Sequence, residues 1–267
     1  MTVAIVVAGN SISHGAQSLE DNRLRNYTFE SPSTINGNGE ITSNNGISGS
    51  IMPIQGGGQR PEGVTHVSRV GNGSVKYRCS SSGSGSVDRS EHSLNYGVYS
   101  NRNAYSGWSS YFSTTWDKAP GWFVFKQWHQ STPESPILAF ELMPNTKNKY
   151  RILLRYGANN ANHSVRNFFS SSSINYSKTV NQSEWRNWIV QWTWQMNGSN
   201  GYVRLWSGND FGTYSGPLGY TNVSGSYSNS VDERVGIYRQ RTYRNNVMYV
   251  DQAAVARSFD AAHPTKW

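Results

Sequence analysis

From Val64 onward the chain runs in short stretches where apolar and polar residues alternate, interrupted by clusters of Gly, Asn and Ser. Side chains on a strand point alternately to its two faces, so a period of two predicts antiparallel strands with one buried face each. In residues 150–156, Tyr150, Ile152, Leu154 and Tyr156 share the apolar face and Arg151 and Arg155 project from the other. In 185–195, Trp188, Val190, Trp192 and Trp194 lie opposite Ile189, Gln191 and Thr193, and the Gly/Asn-rich 197–201 turns the chain into 202–206, a predicted hairpin. In 234–240, Val235 and Ile237 oppose Arg234, Gly236, Tyr238 and Gln240. In 123–129, strict alternation sets Phe123 and Phe125 on the face of Gln127 and His129, opposite Val124, Lys126 and Trp128. Two phenylalanines on a polar face conflict with the pattern. A bulge, which shifts the alternation by one, or a ring turned toward a ligand would each account for it.

Residues 1–55 are rich in Asn, Gly and Ser with short apolar runs and no helical period, which predicts a loop-rich N-terminal part of the same domain. Helix is expected to be scarce, and the Ser/Gly-rich 80–86 reads as a loop. Strands of this kind need a shared core between two sheets. The expectation is therefore a single all-β sandwich over 1–267.

Composition narrows the picture. Ten Trp, 16 Tyr and 9 Phe in 267 residues supply ample apolar volume, while charged residues are only 15%, so the surface owes its polarity to Ser, Asn and Gly. A single cysteine, Cys79, rules out an internal disulfide or a cysteine-based zinc site and is expected to be a buried free thiol. The longest apolar stretch, Val3 to Ala8, is far short of the ~20 residues that cross a bilayer. No membrane partner is expected, and action outside the cell would require an export signal already removed or another route. The net charge of +8 would draw a polyanion toward the protein.

Three motifs carry candidate chemistry: Asp88-Arg89-Ser90-Glu91, Gln127-Trp128-His129 and Val235-Gly236-Ile237-Tyr238-Arg239-Gln240. In this order the sequence resembles the jelly-roll polysaccharide lyases, the group of alginate, glucuronan and heparinase-I-like lyases, over roughly residues 60 to 255. The segments 206–208 and 249–251 resemble that family's closing strands. The resemblance implies a concanavalin-A-like β-jelly-roll of two antiparallel sheets. It also implies a monomer acting on an acidic polysaccharide with no organic or redox cofactor and no catalytic metal; it leaves room for a structural calcium. Ser93 stands where alginate lyases usually have a second Arg, and Trp128 sits inside Gln-x-His, which resembles the glucuronan and heparinase-like branch.

The chemistry explains the residue types. Cleaving a uronan by β-elimination removes the C5 proton beside a carboxylate, so the charge that develops must be met by fixed donors. Arg89 and Gln127 fit that role, with Glu91 orienting Arg89. His129 suits a general base and Tyr238 an acid, and in this family a Tyr can play both parts when the proton and leaving group lie on one side. Arg151, Arg155, Arg239, Gln240 and Lys126 are candidate substrate contacts. Each has a plainer reading: a structural imidazole for His129, an ordinary strand tyrosine for Tyr238, a solvated face for the arginines. His14, His66, His92, His163 and His263 show no metal-ligand spacing. The rival function is a non-catalytic carbohydrate-binding module on the same fold, which fold alone does not separate from the enzyme. A glycoside hydrolase ranks behind because no strand carries paired carboxylates, and no nucleic-acid motif accompanies the positive charge.

Overall fold

The computed structural model describes residues 23–27, 29, 40–42, 48–94, 98–99, 103–113, 121–130, 135–143, 149–157, 163–169, 177–193, 201–220, 230–242 and 244–264. They form two sheets. The back sheet is built, in spatial order, from β16 (Asp210–Gly216), β15 (Gly201–Ser207), β14 (Trp185–Thr193), β8 (Asn103–Phe112), β19 (Asn246–Ala256), β5 (Ser74–Cys79) and β4 (Glu62–Val64), with β1 (Arg23–Tyr27) also on β19. The front sheet runs β12 (His163–Asn167), β11 (Lys149–Gly157), β10 (Pro136–Leu142), β9 (Phe123–His129), β18 (Ser230–Gln240), β6 (Val87–Ser93), β3 (Ser48–Ile51) and β2 (Ile41–Thr42). Short strands flank it: β7 (Val98–Tyr99) on β18, β13 (Lys178–Thr179) on β11, and β17 (Gly219–Tyr220), the one parallel partner among the described strands, on β11. One short helix, α1 (Phe259–Ala262), follows β19, capped by the Ser258 hydroxyl.

The sheets meet through aromatic side chains, as the alternation predicts. Trp108 of the back sheet stacks on Trp188 at 5.8 Å and meets Phe140 and Trp128 of the front sheet edge-on at 5.5 and 6.2 Å. Tyr150, Ile152 and Leu154 face this core, and Trp188, Val190 and Trp192 do the same from β14. The predicted hairpin is the β14–β15 pair, Val190 opposite Leu205; its turn lies outside the described residues. The Trp188 indole N–H donates to Ser110 Oγ at 2.7 Å, which satisfies a buried donor. Cys79 is a buried free thiol, and burial pushes its pKa up to about 12.

A bulge resolves the conflict in β9. Phe140 pairs with Lys126 and Glu141 with Val124, one step on β10 against two on β9. Phe123, Phe125 and Trp128 all lie in the core, so the alternation slips between Phe125 and Lys126. Gln127 and His129 are thereby left on the outer face.

The slip also corrects one expected contact. Lys126 points into the sandwich, fully buried, ion-paired with Glu233, which also accepts from the Ser106 hydroxyl. Its ammonium lies 4.8 Å from the Trp108 ring and 5.3 Å from that of Trp128, and burial lowers its pKa. Arg239 requires the same correction. It shares the inner face with Val235 and Ile237, is fully buried, and binds Asp88 Oδ2 at 2.8 Å and the Arg244 carbonyl at 2.8 Å. Neither cation reaches the outer face of the front sheet.

Candidate active site

Antiparallel register brings the three motifs side by side. Between β18 and β6, Tyr238 is opposite Arg89, Gly236 opposite Glu91 and Arg234 opposite Ser93. Between β18 and β9, Arg234 is opposite Gln127 and Asp232 opposite His129. Residues opposite one another share a face, so Arg89, Glu91, Ser93, Arg234, Tyr238, Gln127 and His129 all lie on the outer side. They are nonetheless poorly exposed: Glu91 and Gln127 are at 0%, Arg234 at 5% and His129 at 7%. The face is recessed here.

Contacts link most of the cluster directly. The Gln127 amide donates to Glu91 Oε1 at 2.5 Å, and Arg89 Nε stands 3.8 Å from Glu91 Oε2. The Arg89 guanidinium lies over the Tyr238 ring at 4.1 Å, with Trp122 packed against the same ring at 4.8 Å. Burial raises the Glu91 pKa, opposed by Arg234, the Gln127 hydrogen bond and Arg89. Among the described residues Arg89 Nε, Glu91 Oε2 and Gln127 Oε1 are buried without a hydrogen-bond partner, unmet capacity concentrated where a ligand would sit.

His129 is fixed by its neighbour. A carbonyl oxygen only accepts, so the contact between Nδ1 and the Gln130 carbonyl places the ring proton on Nδ1 and the free lone pair on Nε2. Burial lowers its pKa to about 4, aided by Arg234, Arg89 and Arg155 against the Gln130 hydrogen bond, so the imidazole is neutral near pH 7. His129 and Tyr238 stand at opposite ends of the cluster. Asp232, the partner of His129, precedes Tyr238 by six residues on β18, about 20 Å of strand.

Arg151 and Arg155 share this outer face, on β11, and both turn to Glu141: Arg151 by Nε and Nη2 at 3.0 and 2.9 Å, Arg155 at 3.9 Å with a bond to the Pro136 carbonyl. Gln240 is exposed at the Tyr238 end, where a depression of about 390 Å³ is lined by Gly85, Ser86, Gln240, Arg241 and Thr242. Arg234 is the residue that motif reading missed. Its Nε donates to Asp232 Oδ2 at 2.7 Å, and the Ser93 hydroxyl donates to Asp232 Oδ1 at 2.5 Å. Alternation had already set Arg234 on the face of Tyr238; that was the available signal. Among the described residues no three His, Cys, Asp or Glu side chains gather as a metal site.

The two antiparallel sheets, with this cluster on the outside of one of them, make a concanavalin-A-like jelly-roll of the lyase type. The sequence pattern of the polysaccharide lyase family matches residues 32–254, and the protein belongs to that family. Among solved structures, the endo-β-1,4-glucuronan lyase of the fungus Trichoderma reesei superposes with a TM-score of 0.65 at 17% identity, over 92% of this chain and 100% of that one. The cellulose induced protein Cip1 gives 0.53 at 12% identity, over 79% and 91%. An exolytic PL7 alginate lyase from Zobellia galactanivorans gives 0.51 at 9%, over 78% and 94%. No curated protein sequence matches.

Proposed function

We propose that this polysaccharide lyase cleaves a 1,4-linked polyuronate, glucuronan before alginate, by β-elimination. The observation that carries the reading is the contact chain Tyr238–Arg89–Glu91–Gln127 on one recessed face, flanked by Arg234. Arg89, Arg234 and the second N–H of Gln127 meet the uronate carboxylate, whose charge grows as the C5 proton leaves. Glu91 holds Gln127 and draws Arg89 toward the same spot. These groups supply the neutralising charge, so the reading assigns no metal to the step, and activity is expected to survive chelation.

Sugar stereochemistry divides the proton transfers. In glucuronate and mannuronate the C5 proton and O4 lie on the same side of the ring, so one group can serve both. Tyr238 takes the C5 proton and delivers one to O4 as the C4–O4 bond breaks and the C4=C5 double bond forms. His129, neutral and adjacent to Arg234, then positions the carboxylate. In guluronate the two lie on opposite sides; His129 Nε2 takes the proton while Tyr238 protonates O4. The spread between Tyr238 and His129 suits the single-group route, which glucuronate and mannuronate share; the preference for glucuronan over alginate rests on the glucuronan lyase named above as a structural neighbour.

The test is incubation with polyglucuronate, alginate and heparin, following the ultraviolet absorbance of the unsaturated uronate end. Absorbance should rise with glucuronan. Tyr238→Phe should lower kcat by about 10²–10⁴-fold while leaving polymer binding in place. Binding without new absorbance on any acidic glycan would overturn the reading in favour of a non-catalytic glycan-binding protein.

A further inference from the structure

The back sheet has an outer face that the site above does not use. Along β15, Val203 and Leu205 enter the core, so Tyr202, Arg204 and Trp206 point outward. Register sets Arg204 beside Gln191 on one side and Thr213 on the other, with Gln191 beside Tyr105. In the next rows Trp206 lies between Ile189 and Phe211, and Tyr202 between Thr193 and Ser215. Strands about 4.8 Å apart thus array aromatic, cationic, amide and hydroxyl groups across the sheet, and no acid stands in these rows.

Helix α1 covers only one end. Phe259 packs on Trp206 at 5.0 Å, and Gly107 is so close to Ala262 that a Cβ there would lie 1.6 Å from its carbonyl oxygen. The Tyr105 and Trp206 rings, 27° from parallel at 6.5 Å, pack against the helix with part of their surface still exposed, and Phe211 is 58% exposed. The Arg204 guanidinium sits over the Tyr202 and Trp206 rings at 5.2 and 5.4 Å.

Unmet polar groups converge here too. Among the described residues Arg204 has no carboxylate partner and its buried Nε has no acceptor. Arg89, Arg151, Arg155, Arg186, Arg234 and Arg239 each have a carboxylate within 4 Å. Gln191, 8% exposed, donates to Asn103 Oδ1 at 3.0 Å and leaves Oε1 buried without a donor; the Tyr202 hydroxyl is unpaired as well. A buried polar atom left unpaired is costly, and a ligand bearing hydroxyl and acid groups would recover that cost.

We propose that this face is a second, non-catalytic binding platform for an acidic polysaccharide, with Arg204 pairing its carboxylates, Gln191 Oε1 and the Tyr202 hydroxyl meeting its hydroxyls, and Tyr105, Trp206 and Phe211 carrying the apolar faces of its sugar rings. The acidic character of the ligand rests on the function proposed above. A polymer held on two faces of one molecule gains affinity by effective concentration that a short oligomer does not.

The test measures binding of polyglucuronate and alginate by affinity electrophoresis, in a His129→Ala/Tyr238→Phe background that turns nothing over. Arg204→Ala and, separately, Phe211→Ala should each weaken polymer binding at least five-fold; Phe211 is exposed enough that its truncation leaves the fold intact. In the otherwise wild-type enzyme the same changes should lower the ratio of polymer to tetramer kcat/KM. Unchanged polymer binding in both variants would overturn the platform alone. Failure of the background protein to bind any acidic glycan would overturn both the platform and the uronan reading.

Discussion

Ser93 and Arg234 face each other across β6 and β18, and both hold Asp232, one at each carboxylate oxygen. In the alginate lyase pattern a second Arg would occupy the place of Ser93. Here the cation comes from the neighbouring strand, and the serine helps hold the acid that orients it. The motif looks incomplete along the sequence while the sheet face keeps its charge.

Arg234→Ala should therefore lower kcat/KM on polyglucuronate by about 10²-fold, the scale of removing one donor from a developing anion. Adding Ser93→Arg to that variant should return part of the loss, because the new guanidinium springs from the adjacent position on the same face. Initial rates of unsaturated-product absorbance decide it. Equal rates in the single and double variants would show that position, and not charge alone, is what Arg234 supplies.

His129 should make stability depend on pH. Its folded pKa of about 4 lies below the unfolded value near 6.5, so between these pH values the unfolded chain binds more protons. The stabilisation from keeping the ring neutral is full above pH 6.5 and declines as pH falls toward 4, by about 3 kcal/mol in total. Denaturant unfolding across this range should show the slope, and His129→Gln should flatten it.

The buried Lys126–Glu233 pair gives a third expectation. Lys126→Met alone leaves a carboxylate unpaired between the sheets and should cost about 3–5 kcal/mol, whereas Lys126→Met with Glu233→Leu should come close to wild type. Chemical denaturation midpoints measure both. A change in KM in the folded double variant would return Lys126 to the substrate site from which its orientation removes it.

Gly236 lies between Arg234 and Tyr238 with φ +137°, and a Cβ there would fall 2.4 Å from the Ser90 carbonyl oxygen and 2.7 Å from Glu91 Cα. Gly236→Ala should cost about 2 kcal/mol or more from strain and contact with β6. It should also depress kcat beyond what the lost stability explains, since β6 carries Arg89 and Glu91. Comparing kcat at a temperature where the variant is fully folded separates the two effects.

Much of this was legible in the sequence because it depends on a period of two. The inward set Tyr150, Ile152 and Leu154 and the outward Arg151 and Arg155 follow from alternation alone, and the β14–β15 hairpin from alternation with the Gly/Asn-rich turn. The same rule had set Lys126 with Trp128 and Arg239 with Val235 and Ile237, and treating these cations as substrate contacts overrode it. What defeats a local reading is partnership at a distance. Lys126 is tolerated inside by Glu233, and Arg239 by Asp88, and no spacing within either strand announces those partners. The β9 bulge was visible only as a contradiction, since a slipped register leaves no composition of its own.

Arg239 also braces the rim beside Tyr238. From beneath β18 its guanidinium reaches the carbonyls of Ser80 and Arg244, while its partner Asp88 accepts from the Gly57 amide; Arg241, two residues further on, donates to the carbonyls of Gly83 and Gly85. Three separate surface segments are pinned to a single strand end before any sugar arrives. An incoming chain therefore finds this margin already set, and little of its binding free energy goes into arresting loop motion there.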